Sequence, residues 1–196
     1  MKVYFATPAH RMSKKREEHL HRTNQGIAQR LGLEGSVVGL IKDSPWIDCA
    51  RADLVADFLR GPCDALFFRD DDIDLTPDMF ARMLAADRPV VVIPYKTRTP
   101  PHPWAVTRDS TGRITHAGLG CALIQRSIIE AMCRRYADLT YYQDESPRVA
   151  LFHHMILPWA GKRIMLKEDH AFFERLSEMG YVVDEVAGPI SHGGIV

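Results

Sequence analysis

The chain has 196 residues, 46% hydrophobic and 26% charged, the composition of one globular domain with a sizeable core. Lys plus Arg and Asp plus Glu both number 25, so the net charge is zero and bulk charge gives no support to a nucleic-acid partner. Cys49, Cys63, Cys121 and Cys133 form no CxxC pair, no signal peptide is visible, and no apolar run approaches the roughly 20 residues of a transmembrane segment, so reduced thiols and a cytoplasmic location are expected.

The run Lys2-Val3-Tyr4-Phe5-Ala6-Thr7-Pro8 reads as a buried strand stopped by proline. Ser13 is placed to cap a helix reaching about Leu31, whose basic stretch His10 to Arg22 reads as a solvated face. A second strand covers Ser36 to Ile41. The spacing of Ala50, Leu54 and Phe58 predicts a helix from Ile47 to Arg60, ended by Gly61-Pro62. Asp64 to Arg69 is a third strand. Thr76-Pro77 opens a helix that buries Phe80, Met83 and Leu84, and Val90 to Tyr95 reads as a central parallel strand.

Beyond residue 95 the pattern changes. Lys96 to Pro103 is a proline-rich loop, and segments 104–106 and 113–116 suggest a short hairpin. Leu119 to Gln125 is apolar again and precedes a helix over Ser127 to Arg135. Tyr136 to Pro147 resists assignment, and Val149 to Pro158 reads as a strand. Glu168 to Gly180 is a helix with Phe172, Leu176 and Met179 on one face, and Tyr181 to Val186 a last strand. The alternation of strand and helix predicts a single three-layer α/β/α domain over residues 1–196 with a mostly parallel, mixed sheet. Residues 1–95 would form a nucleotide-binding half and 96–196 an acceptor half.

The stretch Phe67-Phe68-Arg69-Asp70-Asp71-Asp72-Ile73-Asp74 carries the most chemistry. Open α/β sheets bind ligands beyond the carboxyl ends of their strands. On extended chain Asp70 and Asp72 point the same way while Asp71 turns aside. Two hard carboxylates suit Mg²⁺ or Mn²⁺ with positions left for phosphate oxygens. A solvated acidic turn leading into the helix at Thr76 is the alternative. Arg69 either joins the acidic strand end or points into the opposite layer.

A strand ending in Asp-x-Asp, then a polar turn, proline and a helix, resembles the metal-binding signature of the GT-A glycosyltransferases, in particular small family-2-like bacterial and phage-type members. Asp48-Cys49-Ala50-Arg51-Ala52-Asp53-Leu54 resembles the family's Ala-Arg-Asn helix, although Ala52 stands where Asn is frequent. Gly118-Leu119-Gly120-Cys121-Ala122-Leu123-Ile124 resembles its Gly-x-Gly strand, Lys167-Glu168-Asp169-His170 its Glu-Asp motif, and Ile190-Ser191-His192-Gly193-Gly194 its terminal Ser-His segment. The chain ends soon after, so the acceptor-binding extensions of many relatives are not expected.

The resemblance implies a metal-dependent glycosyltransferase taking a nucleotide-diphosphate sugar as donor, with Asp72 on the metal, Asp70 on the metal or the ribose, and His192 as third ligand. Gly193 and Gly194 would let the tail fold over the site. An inverting reaction needs a base on the acceptor hydroxyl. By resemblance Asp169 takes that part with Glu168 beside it. Thr7, Pro8 and His10 after the first strand, Lys42 and Asp43 after the second, and Asp71 are expected near the donor. Arg51 is expected to pair with an aspartate or a phosphate. The acceptor stays open among a glycan, a lipid-linked sugar, a small molecule, a protein and a modified nucleic acid. Trp104 stacks on a sugar or is half-buried packing, and His153-His154 is read as structural or surface. Rival readings remain: a haloacid-dehalogenase-like phosphatase using Asp72 and Asp74 of Asp-x-Asp-x-Thr, a degenerate GT-A domain that binds nucleotide or glycan without turnover, and a nucleotidyltransferase, which no Gly-rich phosphate loop near the N-terminus supports.

Overall fold

The computed structural model describes residues 1–188 and 190–192, with all their side chains except those of Trp159 and Ser191. Gly193 and Gly194, expected to fold over the site, lie outside the described residues. Strand β1 (Val3–Pro8) is buried along its length, and helix α1 (Lys14–Arg30) starts at Ser13, whose hydroxyl accepts from the Arg16 N–H. Strand β2 (Val37–Ile41) and helix α2 (Ile47–Arg60) follow as the apolar spacing predicts. Strand β3 (Ala65–Arg69) leads through the acidic turn into a two-residue strand, β4 (Ile73–Asp74). Helix α3 (Pro77–Ala85) has Thr76 as its cap, the hydroxyl accepting from the Met79 N–H, and β5 (Val90–Val92) closes the first half.

The second half is built from hairpins around one inserted strand. Strands β6 (Val106–Arg108) and β7 (Ile114–Ala117) pair antiparallel, β8 (Cys121–Gln125) enters the sheet, and α4 (Arg126–Arg135) returns over it. The unassigned stretch is a hairpin of β9 (Thr140–Gln143) and β10 (Ser146–Val149). The expected strand from Val149 to Pro158 is broken. The chain turns at Leu151 and Phe152, which are fully buried, before β11 (Met155–Trp159) pairs with β12 (Lys162–Leu166). Burial of Phe152, stacked on Phe172 with ring centroids 5.1 Å apart, outweighs the strand preference of the apolar run. Helix α5 (Glu168–Glu178) leads to β13 (Asp184–Glu185), shorter than the strand expected over Tyr181 to Val186, and to β14 (Ser191–His192).

The central sheet has six strands in the order β13-β5-β8-β3-β1-β2. β1 is parallel to β2 and β3, and β13 to β5, whereas β8 runs antiparallel to both β3 and β5. Strand β5 is thus not flanked by parallel neighbours on both sides, as its apolar run suggested. It is buried on both faces because helices cover both sides of the sheet.

Successive residues alternate between two cores. Tyr4, Ala6, Leu66, Phe68, Val92 and Ile124 pack with side chains of α2, α4 and α5. Val3, Phe5, Phe67, Val91 and Leu123 pack with Ile27 of α1 and with Met79, Phe80 and Met83 of α3. The result is a mixed three-layer α/β/α arrangement. The four cysteines are free. Among the described residues no helix is long and apolar enough to cross a membrane.

Candidate functional site

The alternation along β3 sorts the residues at its carboxyl end. Phe68 faces the α2 side and Arg69 the α1 side, so Asp70 emerges toward α2. There it meets Arg51, one of the largest fully buried side chains, on the inner face of α2. One guanidinium nitrogen, Nη2, lies 3.1 Å from Asp70 Oδ1. The other, Nη1, donates to Asp169 Oδ1 and stands 3.7 Å from Glu168 Oε1. Glu168 and Asp169 occupy the first turn of α5, where the helix dipole favours negative charge. Two elements thus aim three carboxylates at one buried cation on a third, and Arg51 pairs with these acids rather than standing open for a phosphate.

Burial pushes the Asp70 carboxyl above its ordinary range. Arg51 opposes the shift, while Asp169 and Asp72 add to it. Asp169 is raised for the same first reason, burial, with Arg51 opposing, Glu168 adding to the rise and the Leu119 N–H opposing as a hydrogen-bond donor. On Arg51 burial works against the charge, yet Asp169, Asp70 and Glu168 outweigh it and the guanidinium is held more firmly protonated than usual. This cluster can hold a carboxylate poised to take a proton, because Asp70 and Asp169 are each destabilised as anions by burial and by an acidic neighbour.

Asp72 lies within the turn that the Ile73 N–H closes on the Asp70 carbonyl, not on extended chain as expected, and it faces a different set of partners from Asp70. Strand β14 pairs antiparallel with β4, with His192 opposite Ile73, and this pairing brings the end of the described chain back against the acidic turn. His192 Nδ1 donates to the Lys96 carbonyl at 2.9 Å, and its Nε2 lies 3.2 Å from Asp72 Oδ2. Arg98 Nη2 lies 2.9 Å from the same oxygen. Neither approach has hydrogen-bond direction, so Asp72 Oδ2 is buried without a hydrogen-bond partner. Two ligands at right angles, each about 2.1 Å from one Mg²⁺, stand about 3 Å apart, close to the His192–Asp72 separation. Among the described residues no group of three or more His, Cys, Asp and Glu side chains converges tightly enough to hold a metal by itself.

The remaining expected residues occupy the neighbouring end of β1 and β2. Thr7 is buried with Oγ1 unpartnered, and it lines a cavity of about 800 Å³ together with Lys42, Asp43, Glu17 and Asn24. Pro8 is still within β1, opposite Ile41. Exposed His10 donates through Nδ1 to the Ser44 carbonyl at 3.1 Å. Lys42 pairs with Glu17 at 2.8 Å, and Asp43 has φ of 61°, which turns the chain sharply at the cavity rim. Arg16 links the cavity to the acidic turn: its Nε donates to the Asp71 carbonyl, and the next residue, Glu17, lines the cavity. Asp71 itself is raised by burial first and then by Asp72 and Asp70. Asp74 is exposed and pairs with Arg16 at 3.6 Å, away from Asp72. Arg69 points into the opposite layer, donating to Asn24 Oδ1 at 2.7 Å and to the Ile73 carbonyl at 3.1 Å.

Sequence reasoning passed over Tyr95, left Arg98 as a residue of the proline-rich loop without a role, and gave Gly118 and Gly120 no physical role. Tyr95 is buried beside His192, ring centroids 4.8 Å apart, and its hydroxyl accepts from the Gly120 N–H at 3.2 Å. A Cβ on Gly120 would sit 2.6 Å from Asp70 Oδ2 and 2.7 Å from the Tyr95 hydroxyl, and one on Gly118 would sit 2.2 Å from that hydroxyl. The Gly-x-Gly pattern was the available signal: small residues at the start of β8 let Tyr95 and Asp70 approach the backbone. His154, read as structural or surface, stands 3.9 Å from Glu168, at the edge of the cluster. Trp104 is 56% exposed with the Lys96 ammonium over its ring at 5.8 Å.

No known sequence-family profile matches the chain, and no curated protein matches its sequence. Solved structures do share the fold. The A197 protein from STIV aligns over 98% of this chain and 85% of its own, with a TM-score of 0.58 at 15% identity. The inositol-1-phosphate CTP transferase from T. maritima aligns over 98% of this chain and 89% of its own, with a TM-score of 0.52 at 9% identity. At these identities the likeness is one of fold. The resemblance to the glycosyltransferases rests on the sequence motifs.

Proposed function

We propose that this chain is a metal-dependent glycosyltransferase that moves a sugar from a nucleotide-diphosphate sugar to an acceptor hydroxyl, inverting, with Asp169 as base. The reading is supported by one convergence: Asp70, Asp169 and Glu168 around Arg51, beside an Asp72–His192 pair whose carboxylate oxygen Oδ2 is buried without a hydrogen bond. Asp72 and His192 suit Mg²⁺ or Mn²⁺, because such ions take one or two protein ligands and fill the rest with water and phosphate oxygens. When bound, the ion would neutralise the diphosphate as a leaving group. The lone pair on Nε2 is available because Nδ1 already donates to the Lys96 carbonyl.

This chain's own residues do the rest. The cavity lined by Thr7, Lys42 and Asp43 receives the nucleoside, with Asp70 facing the ribose or the ion. Asp169, raised by burial, accepts the acceptor proton as the new glycosidic bond forms, and Arg51 holds its carboxylate in place.

The test is thermal unfolding with UDP, GDP, CDP and dTDP, each with and without Mn²⁺, for the native chain and Asp72→Ala. One nucleotide is expected to raise the midpoint only with metal, and only with Asp72 present. Absence of any metal-dependent shift in folded protein sinks the reading. A second reading, nucleotidyl transfer to a sugar phosphate, has in its favour the fold shared with the T. maritima transferase. Against it, the segment between β1 and α1, residues 9–13, has no glycine to cradle a triphosphate. Pyrophosphate release from a nucleoside triphosphate and a sugar 1-phosphate would favour it. Asp74, paired with Arg16, does not join Asp72 as the second acid of a phosphatase. Metal-dependent nucleotide binding with neither transfer nor donor hydrolysis would favour a binding domain.

A further inference from the structure

The loop between β5 and β6 is pinned at its base and carries one long cation over the site. Lys96 and Trp104 form an isolated antiparallel bridge, and the Thr97 N–H donates to the Pro103 carbonyl at 2.8 Å. His102 closes the tip, donating from its backbone N–H to Thr99 and from Nδ1 to the Thr97 carbonyl. The Lys96 carbonyl accepts from His192, which ties the base of the loop to the imidazole facing Asp72. Arg98 rises from this frame and ends 2.9 Å from Asp72 Oδ2, with 64% of its own side chain exposed against 18% for Asp72. The ion pair lacks hydrogen-bond direction, and the oxygen it covers has no hydrogen-bond partner. A guanidinium in that position covers the carboxylate edge that a divalent ion would need.

We propose that Arg98 is an exchangeable counter-ion of Asp72: it neutralises the carboxylate while the ion is absent, and passes to the donor's diphosphate when the ion displaces it. The inference rests on the metal–diphosphate reading above. Arg98 has the chemistry for both positions, because a guanidinium pairs with carboxylate and phosphate oxygens in the same forked geometry. Its exposed stem lets it move while the loop base stays fixed to His192. A surface arginine bound elsewhere would affect neither ligand. An arginine dedicated to phosphate would affect only the diphosphate.

Mn²⁺ binding to the full chain is measured by titration calorimetry for the native protein and Arg98→Gln, followed by inorganic pyrophosphate binding at saturating Mn²⁺. Arg98→Gln is expected to bind Mn²⁺ about three- to ten-fold more tightly, since a competing charge is gone. It is expected to bind pyrophosphate about ten-fold more weakly. Arg98→Lys keeps the charge without the fork and should fall between the native protein and Arg98→Gln in both. Arg88→Gln serves as a control for net charge, since Arg88 faces Asp184 at 3.9 Å on the edge strand β13 and should change neither. Unchanged Mn²⁺ affinity in Arg98→Gln overturns the exchange whatever happens to pyrophosphate. An equal gain in Arg88→Gln also overturns it, by reducing the effect to bulk charge. Failure of both native and Arg98→Gln protein to bind Mn²⁺ overturns the metal site itself, and the exchange with it.

Discussion

Two buried arginines stand on opposite faces of the sheet at the same end, and they are solved in opposite ways. Arg51, on the α2 side, is surrounded by Asp70, Asp169 and Glu168 and is held protonated despite its burial. Arg69, on the α1 side, has a neutral amide and a carbonyl for partners, and burial pushes its guanidinium down to about 10. A buried charge is tolerated either with counter-charges or with hydrogen bonds that replace its water. The first solution gathers reactive carboxylates. The second anchors the carbonyl of Ile73, just after the acidic turn. The carboxylate cluster around Arg51 is therefore expected to govern the chemical step, and Arg69 mainly stability.

The sharpest break in that comparison is Asp169→Asn. The amide keeps the shape and a hydrogen bond to Arg51 but cannot take a proton. Turnover of the identified donor and acceptor should fall about a thousand-fold, the range of a lost general base, with the unfolding midpoint little changed. A loss below ten-fold would remove Asp169 from the chemistry.

Next in size comes the pair of arginine replacements. Arg51→Met leaves three carboxylates without their shared cation, and should cost about 3 kcal/mol, in the lower part of the range for breaking a buried ion pair because the acids keep some solvent contact. Arg69→Met alone orphans Asn24 Oδ1 and the Ile73 carbonyl, at about 2 kcal/mol. Adding Asn24→Leu removes one of those orphans together with a second unpartnered atom, Asn24 Nδ2, and should recover most of the loss. Urea unfolding of the three variants measures this. Recovery of stability in the Arg69 double variant, with no such recovery available to Arg51→Met, would keep the two faces distinct.

The two halves of the chain differ in how much of this could be read beforehand. The first half reads well because each strand and helix has its own apolar period and its own cap: α2 was bounded by Ala50, Leu54, Phe58 and Gly61, and α3 by Thr76 and Pro77. Strands β4 and β14 have two residues each and no period, so nothing local announced the pairing that brings His192 to Asp72. Strand β8 looked apolar from sequence, yet its antiparallel insertion between β5 and β3 is a property of the whole sheet. Ion pairs across long separations, Arg51 with Asp169 and Arg98 with Asp72, follow from that topology and not from spacing. Gly-x-Gly was legible as a motif, but its reason was not, since it depends on Tyr95 and Asp70 crossing over the backbone.

That reason can be tested with Gly120→Ala. The new methyl meets Asp70 Oδ2 at 2.6 Å and the Tyr95 hydroxyl at 2.7 Å, so one of them must shift. Asp70 is held by Arg51 on its other oxygen, and displacing it strains the carboxylate cluster. Turnover is expected to fall about 30-fold, with about 1–2 kcal/mol lost on unfolding, the range of an overpacked site. Tyr95→Phe in the same background removes one clashing atom and should restore part of the stability while leaving the Asp70 contact in place. Equal activity of Gly120→Ala and native protein would mean that the position of Asp70 does not matter for the reaction.

The smallest expected effect concerns pH, and its sign separates this cluster from ordinary carboxylate pairs. Asp70 and Asp169 are both raised above 3.8, by burial first, with Arg51 opposing but not cancelling the shift. A raised folded-state value means the folded chain holds its proton where the unfolded chain has lost it. The stability from these groups is therefore fully present below 3.8 and is lost as pH rises through the raised folded values. Exposed Asp109 is shifted the other way, lowered first by the Thr111 hydroxyl, so its contribution is lost as pH falls. The difference between variants, in metal-free buffer, isolates the cluster from such opposing groups. Urea midpoints between about pH 4.5 and 7.5 should fall less steeply with rising pH in Asp70→Asn and Asp169→Asn than in native protein, because an amide has no proton to lose. Parallel curves would mean that Arg51 neutralises its acids completely, and the α2 face would then hold its charge as quietly as the α1 face does.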